Sequence, residues 1–114
     1  MNKLIKSFGW AINGLKTAWQ EEVNFRIEAA IALAVVGGGG YFQFSKLEWA
    51  FIAVSICAVL SAEIVNTAIE DLCNKVEPNT DPVIGKIKDM MGGVVLVVSI
   101  VALVIGVMVF TNHL

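Results

Sequence analysis

Apolar residues recur along this chain in two rhythms. Over the first twenty residues Leu4, Ile5, Phe8, Ile12, Leu15 and Trp19 return in three- and four-residue steps, the spacing of one helix face. Lys3, Lys6, Asn13 and Thr17 take the other face. This predicts a basic amphipathic helix over 1–20, of the kind that lies on a membrane surface. After it the apolar residues run almost unbroken in three stretches, predicted as membrane helices over 27–44, 47–74 and 84–110. The first is barely long enough, since about 20 residues cross a bilayer. Lys75 to Asp89 holds the one substantial loop, marked by Glu77-Pro78-Asn79-Thr80-Asp81-Pro82.

The composition agrees with an all-α integral membrane protein of one domain, 1–114. Of 114 residues 57% are hydrophobic, and the mean hydropathy of +0.76 is too high for a soluble domain of this size. The net charge of −2 gives no general attraction to nucleic acid. Lys3 and Lys6 precede no unbroken apolar core, so no signal peptide is expected. Lys3, Lys6, Lys16, Arg26, Lys75, Lys86 and Lys88 fall on one side of the membrane and only Lys46 on the other. By the positive-inside rule the surface helix and the 75–89 loop are cytoplasmic, and the C-terminus is outside.

Within the second stretch, Glu63, Asn66, Glu70 and Asn74 fall on one narrow helix face, at offsets of about 0, −60, −20 and +20 degrees. Two carboxylates and two amides thus climb roughly 16 Å out of an apolar run. A carboxylate at membrane depth costs about 2.5–3.5 kcal/mol on insertion scales and marks a site by default. A polar stripe can also serve only to join helices; two glutamates on it favour chemistry.

Other features read as structure. Gly37 to Gly40 lacks the Lys-Ser or Lys-Thr of a phosphate loop and reads as close helix packing. Cys57 and Cys73, sixteen positions apart on one helix, cannot pair and are read as packing residues. Glu22 and Arg26 are spaced for a helix-surface ion pair. Trp10, on the polar face beside Lys6, is an interfacial anchor or a surface on which a base stacks. His113 reads as part of a solvated tail.

This topology brings three acidic groups to the cytoplasmic surface: Glu22, Glu70, and Asp89 beside Lys88. Mg²⁺ binds through one or two carboxylates plus substrate phosphates, and lysines meet phosphate as point charges. Glu63 lies about two turns deeper, placed for a general base. Such a layout suits a lipid kinase, whose lipid hydroxyl comes from the bilayer and whose nucleotide comes from water.

The segment AEIVNTAIE, followed after a turn by GKIKDM, resembles the signature of the small prokaryotic diacylglycerol and undecaprenol kinases. The likeness covers nearly the whole chain, including Trp19, Glu22, Phe25 and Arg26. It implies a homotrimer in the bacterial inner (cytoplasmic) membrane, with sites shared between chains and facing the cytoplasm. It implies ATP as co-substrate and Mg²⁺ as cofactor. Glu63 then matches the catalytic base, Glu22 and Glu70 the metal-holding glutamates, and Lys88 and Asp89 the nucleotide-contacting pair. Asn66 matches the asparagine beside the base, and Glu28 an acidic residue near the lipid entrance. Lys3 falls where an arginine can touch nucleotide and lipid, and Trp10 where an aromatic lies near adenine. Asn74 stands where the family commonly has aspartate, so one charge of the nucleotide contact is missing.

Two other classes compete. A small ion or proton transporter would relay cations along Glu63 and Glu70, but it calls for inverted repeats or a second ladder, and the third stretch has neither. A purely structural subunit has no need of Lys88-Asp89 opposite Glu70 and Glu22. Between diacylglycerol and undecaprenol as acceptor the residues do not choose.

Overall fold

A computed structural model describes residues 2–114; Met1, where the expected surface helix begins, lies outside the described residues. Four helices follow in order: α1 (Asn2–Glu21), α2 (Val23–Phe42), α3 (Lys46–Val76) and α4 (Pro82–Thr111). The last three are each long and apolar enough to cross a membrane. The short connections make α2, α3 and α4 antiparallel neighbours. One end of the bundle therefore carries the α2–α3 turn and the C-terminus. The other carries the α1–α2 junction and the α3–α4 loop. A chain envelope of 51 × 42 × 20 Å is about two helix diameters thick.

Local chemistry sets the boundaries, and it moves several of them. The first membrane helix begins at Val23, four residues earlier than expected, which gives it 20 residues. It starts there because Glu22 leaves helical geometry (φ −118°, ψ 108°) and its side chain accepts from the Asn24 N–H. Ser45 opens α3 with a capping box: its hydroxyl accepts from the Glu48 N–H, and the Glu48 carboxylate accepts from the Ser45 N–H. That satisfies two of the donors a helix start leaves open. The loop expected over 75–89 shrinks to five residues, 77–81. Asp81 caps α4 by accepting from the N–H groups of Val83 and Ile84, and Pro82 takes the first helical position, where its missing N–H costs nothing.

Packing is densest at the turn end. Phe44, Ile52 and Val109 are buried there, with Trp49 and Phe110 against them. His113 corrects the sequence reading. Its ring lies 5.1 Å from that of Phe44, and Nε2 is 3.0 Å from a Glu48 carboxylate oxygen. The tail is docked. Nothing in the spacing of a lone histidine signals that, because its partners are 65 to 71 positions away.

The glycine run divides in two. A Cβ at Gly39 would stand 2.5 Å from the Trp49 ring and 2.8 Å from Phe44, and one at Gly38 would stand 2.9 Å from Phe110; Gly37 and Gly40 have open space. Close packing was the expectation, and it holds for the middle pair. We predict that Gly39→Ala lowers stability by about 1–3 kcal/mol through overpacking. Gly37→Ala should leave it unchanged or raise it by up to about 1 kcal/mol through helix propensity. Thermal unfolding of both variants in detergent checks this, and equal melting temperatures would contradict it.

Candidate active site

The other buried centre lies near the α1–α2 junction. On α3, Glu63 is only 2% exposed and Thr67, one turn on, is also buried. Thr67 Oγ1 lies 3.0 Å from the Glu63 carbonyl and 3.2 Å from Glu22 Oε2, so its single proton is shared between them. Glu22 accepts with its other oxygen from the Asn24 N–H at 3.3 Å. It therefore breaks α1 from α2, caps α2 and ties that junction to α3. Thr67 escaped the sequence reading. Its signal was present, four positions after Glu63 on the same helix face, but threonine carries no charge to draw attention to it.

Arg26 does not pair with Glu22 as its spacing suggested. Its guanidinium donates instead to the carbonyls of Trp19 and Gln20, at the end of α1 where the helix dipole favours a cation. Across the base of α3 and α4, Lys88 Nζ donates to Asn74 Oδ1 at 2.6 Å. Asn74, which replaces an expected carboxylate, still meets the lysine.

The electrostatics are lopsided. The Glu63 carboxylate feels the charges of Glu22 and Glu70, and that of Glu28 lies within reach of Glu63 and Glu22. Among the described residues the one ion pair is His113 with Glu48, at the opposite end. Glu22, Glu63 and Glu70 thus crowd like charges together without a basic partner, while Glu28 and Glu63 lie within hydrogen-bonding reach of each other; an incoming cation relieves such a field. No three acidic, histidine or cysteine side chains among the described residues form a metal cage.

Three buried side-chain oxygens here have no hydrogen-bond partner: Glu28 Oε2, Glu63 Oε2 and Asn66 Oδ1. Leaving such a group unpaired costs about 1–3 kcal/mol. All three are acceptors, open to a donor.

The structure gathers Glu22, Glu28, Glu63, Asn66 and Glu70 at the junction, with Asn74 and Lys88 one to two turns farther along. Asp89 is exposed beside them. Lys3 and Trp10 stand apart: both lie on the exposed length of α1, roughly 28 and 18 Å of helix away from Glu22. Within one chain they do not reach the carboxylates.

Comparison with known proteins matches residues 9–110 to the family described as prokaryotic diacylglycerol kinase. An undecaprenol kinase of Bacillus subtilis is 33% identical over 114 residues, covering 100% of this chain and 93% of that protein. A diacylglycerol kinase of Escherichia coli is 28% identical over 111 residues, covering 97% and 91%. One from Synechocystis is 30% identical over 104 residues, covering 90% and 59%. With its three membrane helices, its N-terminal helix and a match over nearly its full length, the chain belongs to the prokaryotic diacylglycerol kinase family.

Proposed function

We propose that this protein is an ATP-dependent lipid kinase, transferring the γ-phosphate of ATP to the hydroxyl of diacylglycerol or undecaprenol. The observation that carries the reading is the set of unpartnered acceptors on Glu28, Glu63 and Asn66, joined to family membership. A lipid hydroxyl supplies a missing donor. Its proton passes to Glu63 as its oxygen bonds the γ-phosphorus, while the bond from that phosphorus to the β–γ bridging oxygen breaks and ADP leaves. Asn66, three positions along the same face, holds the hydroxyl in line.

Glu22 and Glu70 would hold Mg²⁺. The residues fit that ion: they are hard oxygen donors in a field without a counter-cation, and Mg²⁺ needs only one or two carboxylates when phosphates and water complete its shell. When bound, the ion neutralises phosphate charge. Lys88, Asp89 and Asn74 would meet the nucleotide from the loop side. The N-terminal helix, the junction and the α3–α4 loop then face the cytoplasm, a reading the Lys/Arg distribution supports.

Homotrimer formation fits one further fact: along α1, Lys3 and Trp10 stand roughly 28 and 18 Å from Glu22, too far to serve their own carboxylates. In a ring of three, α1 of one chain can serve the site of the next.

The test is direct. Purified protein incubated with labelled ATP and each lipid separately should label diacylglycerol, undecaprenol or both, and only when Mg²⁺ is present. Absence of label in every lipid, from protein with its helical content intact, rejects the kinase reading.

A further inference from the structure

Between α2, α3 and α4 runs an apolar groove of about 510 Å³ that opens to the bundle exterior. Glu28 lines one end and Phe110 the other, with Val59, Ile52, Ala102 and Gly106 between. The groove reaches the carboxylate site at Glu28. On α3, Ile52, Ile56 and Val59 continue at helical spacing into Glu63, so one face supplies both the apolar wall and the buried carboxylate. At the turn end the groove is stopped where the Phe110 ring packs against Phe44 and covers Gly38. From Ser99 to Phe110, both of them lining residues, the length is roughly 16 Å. That is about half of a hydrocarbon core of about 30 Å, or one leaflet.

We infer that this groove seats one hydrocarbon chain of the acceptor alcohol, with its hydroxyl at Glu28 and Glu63, and that the small residues Ala102 and Gly106 set how long a chain it takes. The inference rests on the kinase reading and adds the determinants of chain length to it. The occupant is fixed by chemistry at the two ends. Unpaired acceptor oxygens on Glu28 and Glu63 call for a hydroxyl donor, and the apolar walls call for a chain attached to it. A membrane alcohol has both. Gly106 controls length because nothing lies within 4 Å of where its Cβ would be. A larger side chain there enters the groove without displacing backbone.

The experiment compares short and long alcohols of one headgroup: dihexanoylglycerol against dioleoylglycerol, and geraniol against undecaprenol. Gly106→Leu should lower the long-to-short turnover ratio about tenfold, the scale on which methylene-sized changes in an apolar pocket discriminate. Gly106→Ala should lower it less. Ala102→Leu, one turn nearer the carboxylates, should move the cutoff to shorter chains than Gly106→Leu does. Met108→Phe, at an exposed position, should leave the ratio at the parent value. If the parent labels its lipids and the ratio is the same in every variant, the groove does not hold the chain. An unchanged ratio together with altered oligomer size assigns the groove to a neighbouring subunit and overturns the inference. A parent that labels no lipid overturns the kinase reading itself, and this inference with it.

Discussion

Glu63→Gln is expected to lose lipid phosphorylation almost entirely, by about 10²- to 10⁴-fold, the range that general-base assistance contributes. Glutamine keeps the volume and one acceptor oxygen but cannot take the proton of the lipid hydroxyl. The variant should bind ATP normally and keep its oligomer size. Stability should be equal or greater, because an anionic side chain only 2% exposed and facing three other carboxylates no longer has to be accommodated. Turnover, nucleotide binding and oligomer size measured on both proteins separate the outcomes. Turnover within threefold of the parent removes Glu63 from the base role. Loss of assembly would make the α3 polar face a joint between helices.

The second large effect concerns the ion. Glu22→Gln and Glu70→Gln should each raise the Mg²⁺ concentration needed for half-maximal rate by roughly tenfold or more, since a charge-assisted contact contributes about 1.5–3 kcal/mol. The two should differ in stability. Glu22 also caps α2 and accepts from Thr67, so its amide should cost about 1 kcal/mol in the fold. Glu70 has no such bonds among the described residues and should cost none. A Mg²⁺ titration with parallel unfolding curves tests both parts. Normal Mg²⁺ dependence in both variants would refute the assignment.

Much of this arrangement was legible in the residues. The ladder from Glu63 to Asn74 needed only the helical repeat, because a face is a local property of sequence. The three membrane helices came from apolar runs, for the same reason. Boundaries were less legible. The α1–α2 break rests on one residue, Glu22, whose capping side chain looks in sequence like one more surface charge inside a helix. Likewise Asp81-Pro82 reads as a turn, yet it starts a helix, since a cap and a turn use the same residue types. Contacts between distant segments left no trace: Thr67 with Glu22, His113 with Glu48, and the Phe110 ring over Gly38. Each depends on which helix faces reach one another, and periodicity within a segment carries no record of that.

The docked C-terminus has a mechanical corollary. His113, Glu48 and the rings around Phe44 fasten α4 to the start of α3 at the turn end. The opposite end is joined by polar contacts, Lys88 with Asn74 and Thr67 with Glu22. Helices fastened in this way have a fulcrum at one end and leverage at the other. Glu70 lies 22 residues along α3 from Glu48, about 33 Å of lever arm, so a tilt of about 5° at the fulcrum sweeps it through roughly 3 Å. A bond's length of travel at the carboxylates therefore requires no loosening of the aromatic joint.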